Sequence, residues 1–98
     1  DNPTVHQRLG QIALSKGEYA VALAHLTRAY QMAPMRNSLC RLLAEAYAVT
    51  GNIDQAAALW QSVHLQEAEV EDRLWWYGYL KAEREVNGIQ QALAKVKF

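Results

Sequence analysis

Gly17-Glu18-Tyr19-Ala20-Val21-Ala22 is answered further along the chain by Gly51-Asn52-Ile53-Asp54-Gln55-Ala56. Both stretches open on glycine, pass one polar residue and enter a helix-forming run. The correspondence extends outward on either side. His6, Leu9, Gly10, Ala13, Ala22, Leu26 and Pro34 stand against Cys40, Leu43, Ala44, Tyr47, Ala56, Trp60 and Ala68, with size and polarity largely kept. An internal period of this length marks a stack of small units, each unable to bury its own apolar face alone.

The local signals are helical throughout. Asn2 is suited to cap a helix from Pro3 to Lys16, with Pro3 at the first helical position, where a missing N–H costs nothing. Gly17 can take the left-handed conformation that closes a helix and lets the chain reverse into a second one, Tyr19 to Met32, which Pro34 ends. The next hairpin repeats this with helices from Asn37 to Thr50 and from Ile53 to Gln66, turned at Gly51-Asn52. Leu9, Ala13, Ala22, Leu26 and Ala29 recur at three- and four-residue spacings and predict one apolar stripe per helix. Gly10, Ala22, Ala44 and Ala56 are small enough for close axes, and Leu26 and Trp60 are expected to fill the space beside them.

Beyond Glu69 the period blurs. A helix is predicted from Val70 to Val86, a turn at Asn87-Gly88 and a final helix from Ile89 to Lys97. A 34-residue step places Leu74, Tyr77, Gly78 and Lys81 in the core. Matching Ile53-Asp54-Gln55-Ala56 to Ile89-Gln90-Gln91-Ala92 requires 36, and two extra residues near Val86 would reconcile the registers. The last helix also suits the polar cap that repeat stacks need at their ends. The expected fold is all-α, an α-solenoid of three antiparallel helix-turn-helix hairpins. It forms a single domain over 1–98, with repeats at approximately 3–36, 37–70 and 71–98.

Composition narrows the function classes. The chain has 98 residues, 51% of them hydrophobic and 20% charged, enough for a packed core. Ten basic and ten acidic residues cancel, so no field draws the chain to nucleic acid or an anionic membrane surface. Apolar runs such as Ala20 to Ala24 and Ala56 to Trp60 fall far short of the roughly 20 residues that span a bilayer. One cysteine, Cys40, cannot close an intrachain disulfide. The first residue is Asp1 rather than methionine, and the chain is read as a piece of a longer protein whose targeting information lies elsewhere.

No enzyme motif is found, and neither a metal nor a cofactor is expected. Glycine-rich phosphate loops, a nucleophile elbow and paired cysteines are missing from the sequence. His6, His25 and His64 are too far apart for the i, i+4 pair that puts two imidazoles on one helix face, so they read as packing or solvated residues. Cys40 lies near a helix start beside Arg36 and Arg41, but it occupies a core position and reads as a packed thiol. Glu67, Glu69, Glu71 and Asp72 read as solvated carboxylates complementing a helix dipole. Trp75, Trp76, Tyr77 and Tyr79 crowd one helix too densely for all to face a single neighbour. They either pack on the last helix and a further element or anchor a ligand.

The repeated residues resemble the tetratricopeptide repeat, whose pattern is Trp-x-x-Leu-Gly-x-x-Tyr, Ala-x-x-x-Phe and Pro. The first repeat keeps Leu9, Gly10, Ala22 and Pro34. The second keeps Leu43, Tyr47 and Ala56, with Trp60 at the Phe position and Ala68 in place of Pro, while His6 and Cys40 stand where the family often has Trp. The resemblance implies a right-handed superhelix and a concave groove lined by the first helix of each hairpin. By position the groove would take Gln7 and Gln11, Arg41 and Glu45, and Trp75 and Tyr79. Gln7 and Gln11 depart from the Lys and Asn of relatives that clamp a C-terminal carboxylate. The implied function is a protein–protein interaction module that binds a partner peptide or protein segment in the groove. The alternative is a structural or self-associating segment of a longer repeat protein. A related helical repeat reads single-stranded RNA, and zero net charge argues against that reading.

Overall fold

The computed structural model describes residues 2–64, 67–80 and 82–97, which form helices and no strand. The helices are α1 (Pro3–Ser15), α2 (Tyr19–Met32), α3 (Asn37–Val49), α4 (Ile53–Ser62), α5 (Glu67–Tyr79) and α6 (Glu83–Lys95). Asn2 caps α1 as the sequence suggests, its Oδ1 accepting from the Thr4 N–H at 2.8 Å. Gly17 and Gly51 adopt φ of 76° and 88°, which only glycine takes without strain. In the first turn the Glu18 N–H donates to the Ala13 carbonyl at 2.9 Å and that of Gly17 to Leu14 at 3.1 Å. Asn52 to Tyr47 and Gly51 to Ala48 repeat the pattern, so both glycines close Schellman motifs.

The third turn corrects the sequence reading. The Ala82 N–H donates to the Tyr77 carbonyl at 3.0 Å, so the chain reverses after Tyr79 and Asn87-Gly88 lies inside α6. Glu18, Asn52 and Ala82 enter their helices in nearly one conformation, with φ of −86°, −87° and −93° and ψ of 69°, 68° and 68°. Ala13, Tyr47 and Tyr77 are therefore equivalent. The step between hairpins falls from 34 to 30, and neither a 34- nor a 36-residue step describes the third hairpin. The cause is α4, which has 10 residues where α2 has 14, a loss of about one helical turn.

That shortening changes the stacking. Helix α2 packs on both α1 and α3, as a regular solenoid requires. At the next junction α6 packs on α3, α4 and α5, whereas the backbone of α5 approaches α6 alone among the described helices. Gly88 permits the close approach of α6, because a Cβ there would collide with the Ala48 carbonyl oxygen of α3. Ala13, Ala22, Leu26, Ala29, Leu43, Ala44, Ala56 and Trp60 are buried. Leu9 departs from its predicted stripe and is 41% exposed. Of the third-hairpin residues expected inside, Tyr77 is buried, Leu74 half-buried and Gly78 exposed, and Lys81 lies outside the described residues.

Candidate functional site

Helices α1 and α3 are equally long and start at Pro3 and Asn37, so Gln7 and Gln11 occupy the same helical positions as Arg41 and Glu45. All four line one groove of about 370 Å³. Leu14 and Ser15 of α1, Ser38 and Leu42 of α3, Trp60 of α4, and Glu69 and Arg73 of α5 complete it. Its apolar part comes from Leu14, Leu42 and Trp60, and Leu14 and Trp60 are buried. Amides and charges surround that strip.

Hydrogen bonds fix the α1 and α3 walls relative to one another. Gln7 Nε2 donates to Ser38 Oγ at 3.0 Å, and Arg36 Nη1 donates to Gln7 Oε1 and Thr4 Oγ1, both at 3.1 Å. Across the groove Arg41 Nη1 lies 3.4 Å from Glu69 Oε2. Arg73 donates to Glu45 Oε1 from Nε at 2.9 Å and from Nη2 at 2.6 Å. Glu45 is only 4% exposed, and a carboxylate so buried requires a charged partner of this kind. Burial works against the Arg73 charge, but the hydrogen bond and charge of Glu45 outweigh it and raise the guanidinium pKa. The Arg73 guanidinium also lies 5.6 Å from the centre of the Tyr77 ring. Burial, and after it the nearby Glu45 carboxylate, push the Tyr77 phenol far above its ordinary range. Its hydroxyl has no hydrogen-bond partner among the described residues.

Trp75 and Tyr79 do not line the groove. They are 65% and 68% exposed and stack on one another at 5.6 Å between ring centres. The 34-residue step that assigned them to the groove does not hold in the third hairpin. A 30-residue step alone would bring Glu71 and Trp75 to the positions of Arg41 and Glu45. The α5 backbone approaches α6 and not α3 or α4, and it is Glu69 and Arg73 that face the groove instead. Glu69 stands out in the sequence as one of four clustered carboxylates, but nothing there marks Arg41 as its partner.

Two other sequence features find their places. Cys40 is buried, its Sγ donating to the Pro34 carbonyl at 3.4 Å, and burial pushes its thiol pKa up. A thiol so placed is a packing residue. His6 and His25 meet across the first hairpin with their Nδ1 atoms 3.1 Å apart. Chain spacing conceals that pair because the turn at Gly17 brings it together.

No described helix is long and apolar enough to cross a membrane. The sequence pattern of the tetratricopeptide repeat matches residues 1–83, covering the first two hairpins and α5. No curated protein and no solved structure matches the chain.

Proposed function

The chain belongs to the tetratricopeptide-repeat family, a family of protein–protein interaction modules that are typically non-catalytic, and we propose that it holds a segment of a partner protein in the groove between α1, α3 and α5. One observation carries this reading: a single groove crosses the first helices of all three hairpins, with an apolar strip bordered by amides and charges. The half-buried Leu42 and the accessible edges of Leu14 and Trp60 offer a small apolar contact, and fixed polar groups set the register of a bound chain. The cations Arg41 and Arg73 are each matched by an anion, Glu69 and Glu45. A segment held there is therefore selected by apolar side chains and backbone hydrogen bonds more than by net charge.

The test begins with peptides selected by display on the purified chain, followed by calorimetry. Gln11→Trp, which obstructs the groove from an exposed position, and Arg41→Ala should each weaken a selected peptide at least about tenfold. Trp75→Ala, on the far side of α5, should leave affinity unchanged at micromolar protein. Peptides that bind the Gln11→Trp chain as well as wild type would place the binding surface elsewhere.

A further inference from the structure

Helix α1 carries an apolar stripe that no described residue covers. At about 100° per residue, Val5, Leu9, Ile12 and Lys16 fall within about 60° of one another. The three aliphatic side chains are 53%, 41% and 45% exposed. Their counterparts in α3, Leu39, Leu43 and Ala46, are 0%, 2% and 0% exposed, because α3 carries α2 and α6 as well as its own hairpin partner. The same stripe is thus a helix-packing surface where this chain supplies a neighbour. It is also basic: α1 contains no acidic residue, Arg8 flanks the stripe and Lys16 closes it.

Helix α5 presents the converse. On the side turned away from Glu69 and Arg73, the exposed residues Glu71, Asp72, Trp75 and Tyr79 fall within about 100° of one another. The aromatic pair occupies the C-terminal half of that face and the carboxylates the N-terminal half. Laid antiparallel with Tyr79 opposite Leu9, α5 brings Trp75 within one residue of Ile12, about 1.5 Å along the axis, and Asp72 level with Lys16. Aromatic rings then meet aliphatic side chains, and a carboxylate meets an ammonium. Helix α6 offers no such face, since apart from the small Ala94 its exposed residues, among them Glu83, Arg84, Asn87 and Gln90, are polar.

We propose that α5 of one copy of this chain docks antiparallel on α1 of a second copy, head to tail. The contact does not rest on the groove, which lies on the other side of α5. Because the two faces differ, the interface is heterologous, and each pairing leaves one α1 and one α5 face open for a further copy.

Sedimentation velocity over a concentration series should show wild-type chain growing beyond a monomer, less so at high salt, where the carboxylate–ammonium attraction is screened. Leu9→Asp removes the α1 face and Tyr79→Asp the α5 face. Both positions are exposed, and circular dichroism should confirm an unchanged fold. Each variant alone should stay monomeric. Mixed in equal amounts they should form a dimer and nothing larger, since one intact α5 face and one intact α1 face remain. A wild-type chain that is monomeric at all concentrations overturns the proposal. So does a mixture that stays monomeric, or association that persists in either variant alone.

Discussion

The first hairpin joins the second through α2, which packs its length against α1 on one side and α3 on the other. The third hairpin joins through α6, seated on α3 and α4, while α5, whose backbone nears α6 alone, gives the buried Tyr77 to the core and ion pairs to the groove. One turn of helix separates these arrangements, the turn that α4 lacks. The comparison shows that a repeat stack can change which helix carries the joint without changing the turn that closes each hairpin. It also assigns different chemistry to the two joints. The first depends on apolar packing with hydrogen bonds from Gln7 and Arg36 at its rim, none of them an ion pair, and the α5 attachment depends partly on charges that salt weakens.

Three substitutions would break or sharpen that contrast. The largest effect belongs to Trp60→Ala. Trp60 is 4% exposed and lies in the second hairpin, which both joints share, so its loss should cost about 3 to 5 kcal/mol in denaturant titration. A cost below about 1 kcal/mol would mean that the second hairpin does not depend on it. Next is Gly88→Ala. Alanine favours a helix by up to about 1 kcal/mol, but here its Cβ meets the Ala48 carbonyl. A net loss of about 1 to 3 kcal/mol is expected, with hydrogen-exchange protection falling first in α5 and α6. A stabilised variant would show that α6 is not held against α3. The third is Arg73→Met, which keeps the aliphatic stem and strands the Glu45 carboxylate. Glu45 is only 4% exposed, so the loss of its charged partner should cost about 3 kcal/mol. The salt dependence of α5 protection should largely persist in this variant, because the more exposed Arg41–Glu69 pair is retained, and its complete loss would assign the salt-sensitive attachment to Arg73 and Glu45.

The two joints are unequally legible in the sequence. Residues 3–62 repeat at a fixed step, their turns carry glycine, and the helices follow the periodic pattern closely. The third hairpin gives a misleading signal because glycine serves two physical ends in this chain. At Gly17 and Gly51 it supplies a positive φ. At Gly88 it supplies room for a neighbouring backbone, so Asn87-Gly88 reads as a turn but is helix. The chain reverses between Tyr79 and Glu83, and the sequence there holds no glycine or proline and gives no punctuation. The groove shows the same division. Gln7, Gln11, Arg41 and Glu45 follow from the regular step, whereas Glu69 and Arg73 depend on how α5 sits against the groove, a tertiary outcome that the step does not carry. The charged pairs across the groove, Arg41 with Glu69 and Arg73 with Glu45, join residues far apart in the chain and leave no local trace.

Cys40 gives the first joint a built-in clock. It is the chain's sole sulfhydryl, closed in beside the α2–α3 connection with its proton directed at the Pro34 carbonyl. A maleimide or an aromatic disulfide in solution meets that sulfur only when the connection opens, so the rate of labelling in native buffer counts those openings. Labelling needs neither a partner nor an engineered probe, and it leaves α5 and α6 untouched. Slower labelling in the presence of a groove peptide would measure how far an occupant braces α1 against α3.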